Sequence, residues 1–252
     1  MWEIKAAVAF AKVSDIIPQN GSFRVVLEAD AIYSVTTTAG QGRGAAAPPP
    51  AAPFPFPYAD DFESVALGKT PKYLSDQEGA FEVAACKGRR GKCLRQVIAK
   101  RPIPWQHMQP DPFTFLGSAD WSDYEISVDA LIEAAGNVAL VGRIDSAACV
   151  DDPKVRWASG YVLTVRQDGS WELNNSRFKV AVLKLASGKV SFQLGGWHHL
   201  SLAFKGAAIR ASIDGAPVAN VTDTTHTKGM GGIGTGWNKA QFDNFCLGTV
   251  YP

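Results

Sequence analysis

Glycoside hydrolysis needs two carboxyl groups facing the scissile bond, one as acid and the other as nucleophile or base. The chain carries eight glutamates between Glu3 and Glu172, and none follows an asparagine, the dipeptide common around the acid in barrel glycosidases. Strand periodicity puts Glu125 and Glu172 on solvated faces, so no catalytic residue is assigned. A hydrolytic triad fares no better, with four histidines and no Gly-x-Ser-x-Gly elbow. His198 and His199 follow Trp197 at a strand start, where a switch of face is explanation enough. Zinc would need convergent ligands that no spacing here supplies.

Calcium is the better metal candidate. Asp60-Asp61-Phe62-Glu63 opens a region that Phe242-Asp243-Asn244-Phe245 closes. First and last strands of a β-sandwich are commonly neighbours, so these acids can converge on an ion that takes oxygen ligands; two exposed acidic ends are the other reading. Cys86 and Cys93 flank the basic run Lys87-Gly88-Arg89-Arg90-Gly91-Lys92, read as a solvated hairpin tip. Facing each other across a hairpin, they form a disulfide if the protein is exported, or remain two buried thiols. Asn20, Asn174 and Asn220 begin N-glycosylation tripeptides. Of seven tryptophans, Trp105 stands apart: it follows Arg101-Pro102-Ile103-Pro104, a proline-braced loop where a large ring is exposed for a reason.

The elements that must position these residues are strands. Tyr124, Ile126, Val128, Ala130 and Ile132 alternate with Glu125, Ser127 and Asp129, the pattern of a strand with one buried face. Leu200, Leu202 and Phe204 repeat it, as do Ile209, Ala211 and Ile213, after which Asp214-Gly215 supplies a type I′ turn. Further runs at 138–144, 161–165, 170–173 and 180–185 bring the count to about a dozen antiparallel strands, most economically packed as two sheets. Ahead of them, Ser22–Ala29 and Ala31–Thr38 also read as strands. They are too few to be stable without partners from elsewhere. The proline-dense run between cannot be helix or central strand. The predicted organisation is therefore residues 1–44 as the closing strands of a truncated β-sandwich, 45–57 as a Pro/Ala-rich linker, and 58–252 as an all-β sandwich domain.

Composition narrows the function. A net charge of +1 with 19% charged residues gives no bulk attraction for nucleic acid. No stretch approaches the ~20 apolar residues of a spanning helix. The first eleven residues have acid before base and a short apolar run, a poor secretory signal, and the expectation is that sequence upstream is missing.

Leu94-Arg95-Gln96-Val97-Ile98-Ala99-Lys100-Arg101-Pro102-Ile103-Pro104-Trp105 and Ala240-Gln241-Phe242-Asp243-Asn244-Phe245 resemble runs of the animal galactosylceramidase family. Tyr58-Ala59-Asp60-Asp61-Phe62, Asp120-Trp121 and Val141-Gly142-Arg143 fall in the same order. Tyr33-Ser34-Val35-Thr36-Thr37 resembles the closing strand of the small sandwich beside the catalytic barrel of related glycosidases. The resemblance implies a concanavalin- or laminin-G-like jelly roll, the lectin-like domain of an enzyme whose barrel and glutamate pair are not in this chain. It implies one structural calcium, held by Asp61, Asp243, the carbonyl of Lys92, and Glu63 where the animal enzymes have asparagine. It implies that Trp105 walls the pocket for galactosylceramide, and a lysosomal or secreted location. The insert between Cys86 and Cys93 departs from the animal pattern, as does Cys149-Val150-Asp151-Asp152-Pro153. The expected function is structural support plus one pocket wall. An independent carbohydrate-binding module, or a laminin-G-like interaction domain that touches no sugar, are the alternatives.

Overall fold

A computed structural model describes residues 1–6, 8–38, 50–103, 111–146, 158–177 and 182–250, with backbone alone at 8 and 9. The chain divides into Met1–Pro53 and Phe54–Pro252.

In the first unit, β1 (Trp2–Lys5), β2 (Val8–Lys12) and β3 (Ile32–Ser34) form an antiparallel sheet ordered β2-β1-β3. The Tyr33 hydroxyl donates to Glu3 Oε1 at 2.8 Å and accepts from the Glu28 amide at 3.0 Å, tying the loop before β3 to the sheet. Residues 22–29, expected as a strand, carry no ladder beyond an isolated bridge at Ser22, and Val26 is 85% exposed. The apolar and β-branched composition reads as strand, but a strand exists only where a neighbour accepts its hydrogen bonds.

The second unit is a sandwich. In chain order its strands are β4 (Tyr58–Asp60), β5 (Ser75–Glu78), β6 (Phe81–Ala85), β7 (Lys92–Gln96), β8 (Phe113–Leu116), β9 (Tyr124–Ile132), β10 (Asn137–Ser146) and β11 (Ser159–Arg166). There follow β12 (Ser170–Ser176), β13 (Val182–Lys189), β14 (Trp197–Lys205), β15 (Ala208–Ile213), β16 (Ala216–Thr222), β17 (Met230–Thr235) and β18 (Ala240–Gly248). One sheet runs β13-β12-β11-β10-β17-β8-β5; the other runs β16-β15-β14-β9-β18-β7-β6, with β4 added on β18. The fold is all-β and antiparallel, and the described residues contain no helix.

Alternation explains the layers. Inward residues of β9 and β14 (Ile126, Val128, Leu200, Leu202) meet those of β10, β11 and β12 (Leu140, Leu163, Leu173) in one core, all of them fully buried. Asp214 and Gly215 both take positive φ, 51° and 76°, as the type I′ reading requires. The Val141-Gly142-Arg143 run also has a packing reason. A Cβ on Gly142 would meet the Phe204 ring at 2.3 Å, so only glycine lets the sheets approach there. Arg143, 1% exposed, donates to the carbonyls of Ser122 (2.9 Å), Gly206 (2.8 Å) and His226 (3.0 Å), so its charge is buried with each guanidinium nitrogen hydrogen-bonded.

Part of the proline-rich run belongs to the sandwich. Phe54 and Phe56 pack on Trp121 at ring separations of 5.1 and 5.2 Å, and Phe54 also meets Tyr58 and Tyr73. The compact unit therefore begins four residues ahead of the expected Tyr58; positions 45–49 lie outside the described residues.

Leu202→Ala in β14 should lower stability by about 2–5 kcal/mol, the range for truncating a fully buried leucine. The urea midpoint followed by tryptophan fluorescence measures it, with the exposed Arg210→Ala on β15 as a control within about 0.5 kcal/mol of the parent.

Candidate functional site

The site grows from the register of two strands. β18 pairs with β9 so that Asp243 faces Asp129, while Cys246 faces Ser127. Asn244 and Phe245 therefore stand opposite Val128 alone, a β-bulge in which Asn244 takes φ 49°. The bulge returns Phe245 to the core, 1% exposed, and leaves two carboxylates side by side on the outer face of the eight-stranded sheet. Like charges directly opposite each other are destabilising.

Arg89 answers them. Its Nη1 donates to Asp129 Oδ2 and Asp243 Oδ2, both at 3.0 Å, and its guanidinium lies over the Trp197 ring, 3.7 Å from the centroid. The basic hairpin tip was expected to be solvated, yet the Arg89 side chain is only 27% exposed. A disulfide closes the neck of the hairpin, and two hydrogen bonds tie it to the sheet. Cys86 and Cys93 are joined by a disulfide with Cα atoms 5.3 Å apart. The Lys87 amide donates to Gln241 Oε1 at 2.8 Å, and Trp197 Nε1 donates to the Lys87 carbonyl at 2.8 Å.

Around this pair the polar groups fix one another. Asn244 Nδ2 donates to Asp129 Oδ2 at 2.9 Å, and His199 Nδ1 lies 2.8 Å from Asp129 Oδ1. The His199 amide donates to Asp214 Oδ1 at 2.9 Å, and His198 Nδ1 lies 2.7 Å from Asp214 Oδ2. Burial works to raise the Asp129 carboxyl, but hydrogen bonds from Asn244, His199 and Arg89 outweigh it and hold the group below its ordinary value. Arg95 grips Glu133 through two bonds of 2.6 and 2.7 Å, and these outweigh burial there in the same direction.

The expected calcium ligands are near one another in the fold but do not fit that ion as arranged. β4 does pair with β18, with Asp60 opposite Phe245. Asp61, however, is exposed, and its Oδ1 accepts from the Glu63 amide at 3.1 Å. Glu63 Oε1 accepts from the Lys92 amide at 2.7 Å, while Lys92 Nζ donates to the carbonyls of Glu63 (2.7 Å) and Val65 (2.9 Å). Asp243 Oδ2 holds Arg89. A calcium cage needs six to eight oxygens turned to one point with no N–H donor among them. Among the described residues, the His, Cys, Asp or Glu ligand atoms that come within 4.8 Å of one another as a group of three belong to Cys86, Cys93 and Asp243. The two sulfurs are bonded to each other and are not thiolates.

Trp105 and Cys149 lie outside the described residues. Asn20 and Asn220 are exposed, whereas Asn174 is half-buried in β12 and Ser176 of the same tripeptide is 1% exposed. Sequence reasoning missed Asp129, His199, Asn244 and Arg89 as a group. The one local signal was Asp129 itself, an acid at an outward position of a well-marked strand.

Residues 76–250 match the family model described as Galactocerebrosidase, C-terminal lectin domain. Galactocerebrosidase of Danio rerio is 30% identical over 246 residues, covering 94% of this chain and 36% of that protein. The Salmo salar protein of the same name is 29% identical, covering 98% of this chain and 37% of that protein. The chain thus spans a little over a third of the length of these relatives. Among solved structures, carbohydrate binding module CBM66 from Bacillus subtilis superposes with a TM-score of 0.52 at 19% identity, over 70% of this chain and 95% of that one, a likeness of fold.

A carboxyl held below its ordinary value of 3.8 contributes stability that is present above that value and lost as pH falls through the lower folded one. The melting temperature should therefore fall more steeply below about pH 4 in the parent than in Asp129→Asn. Thermal melts across that window measure the difference, and Glu133, common to both proteins, cancels.

Proposed function

Because this chain belongs to the galactocerebrosidase C-terminal lectin domain family, we propose that it is a non-catalytic carbohydrate-binding module taking a galactoside on the outer face of its eight-stranded sheet. The observation that carries the reading is the fixed polar set on that face. His199 is held by Asp129 and Asp214 yet keeps 47% of its side chain exposed, and Asp214 keeps 46%. Sugar hydroxyls come in adjacent pairs and reward donors and acceptors at set spacing. Groups already oriented by their neighbours lose little freedom on binding, so more of each hydrogen bond appears as affinity. Arg89, Asp129 and Asn244 position the set.

The longer relatives support a second layer of the same reading. Within a longer chain, the module stands beside a glycosidase barrel that cleaves galactosylceramide to galactose and ceramide, and Trp105 contributes a wall to that pocket. The disulfide accords with an exported or lysosomal setting, since such bonds persist in oxidising compartments and are rare in the cytosol.

Calorimetry with methyl β-galactoside should give a Kd on the order of 1 mM, weakened about tenfold or more in His199→Ala. Loss in Trp105→Ala with His199→Ala unchanged would move the sugar to the proline-braced loop. Absence of binding to any galactoside would leave the laminin-G-like interaction role. The chain alone should release no galactose from galactosylceramide.

A further inference from the structure

We infer that this domain closes its outer seam with cations of its own, the Arg89 guanidinium and the Lys92 ammonium, and that its fold is independent of calcium. The inference shares Arg89 and Asp129 with the proposed sugar site, but its test reads stability in calcium and not sugar binding.

Three observations carry it. Asp129 and Asp243 stand opposite each other in the register that runs from the pair Ala240 and Ile132, just before the β18 bulge, with side chains 21% and 11% exposed, so a positive charge between them relieves a direct repulsion. Arg89 supplies it from the hairpin between β6 and β7. Its Nη1 is equidistant from both carboxylates, and its planar face is backed by Trp197, which removes water from one side and restricts the fork to a single pose. The disulfide closes the neck of the hairpin, and the Lys87 amide on Gln241 and the Trp197 indole on Lys87 hold it to the sheet without any ion.

The third observation is Lys92. Its ammonium donates to the carbonyls of Glu63 and Val65, which both turn to it at 2.7 and 2.9 Å. Those carbonyls follow β4, so Lys92 ties the start of the sandwich to β7 as a bound ion would. The Glu63 carboxylate is meanwhile seated against Gly91, where a Cβ would come within 2.0 Å of Oε1, and it takes the Lys92 amide. Two carboxylates share one guanidinium, with Asn244 and His199 bonded to Asp129 beside it, and Lys92 Nζ is taken up by two backbone carbonyls. A divalent ion entering either place would have to expel a cation already hydrogen-bonded at full geometry.

The test is the melting temperature of the 252-residue chain in excess EDTA and in about 5 mM calcium chloride, since an ion bound only by the folded form raises the midpoint. The expected result is one midpoint, within about 1 °C, in both buffers. A rise of several degrees with calcium, reversed by EDTA, overturns the inference. Arg89→Ala should melt several degrees lower, and Asp243→Asn in that background should recover part of the loss by removing one of the facing charges. A parental midpoint in Arg89→Ala overturns it equally. If Arg89→Ala does not fold, the two-buffer comparison of the parent decides alone.

Discussion

Two carboxylates face each other across neighbouring strands of the eight-stranded sheet, held there by the core beneath them, and a positive charge between them relieves their repulsion. Asp129 sits at the centre of β9, whose inward residues fill the core; moving that strand by one residue would turn Ile126 and Val128 to solvent. Asp243 is fixed as firmly, because Phe242 and Phe245 on either side are both buried. Core packing thus brings the acids together regardless of their repulsion, and the outer face must then resolve it. Arg89, the Cys86–Cys93 bond, Gln241 and Trp197 are the resolution, and each is placed by another: Gln241 lies in β18 beside Asp243, and Trp197 starts the strand that carries His199.

The sandwich was legible in the sequence because one buried face per strand leaves a period of two that survives without knowledge of partners. β9, β14 and β15 fall where their alternation puts them, and Asp214-Gly215 turns as its residue types demand. The failures share a cause. Residues 22–29 have strand composition but no ladder, since composition reports what a side chain prefers and not whether a neighbour is present. Arg89 was read as solvated because hairpin tips usually are, while the acids that attract it lie 40 and 154 residues further along the chain. The bulge at Asn244 and Phe245 has no glycine to announce it, so the facing of Asp129 and Asp243 could not be read before the register was known.

The site residues show the same division. Cys86 and Cys93 were paired from a local argument, two residues flanking a short tip. The convergence of the acids between Asp60 and Glu63 with Asp243 was argued from the neighbouring of first and last strands, the ligand set with Lys92 rested on resemblance, and the fold does bring β4 against β18. What resemblance does not carry is the side chains inserted between those positions. The hairpin between β6 and β7 is the one whose arginine and lysine occupy the acids and carbonyls.

An organic cation in that position changes what the neighbouring groups can do. Calcium draws every available oxygen toward itself and leaves carboxylates with no direction to point outward. A guanidinium bonds along fixed N–H vectors, and here a single Nη1 serves Oδ2 of both acids. Asp129 Oδ1 is left to His199, whose ring is thereby oriented with its remaining edge toward solvent. The device that relieves repulsion within the sheet is therefore also what aims a hydrogen-bonding surface away from it, and Asp129, which takes Arg89 on one oxygen and His199 on the other, joins the two roles.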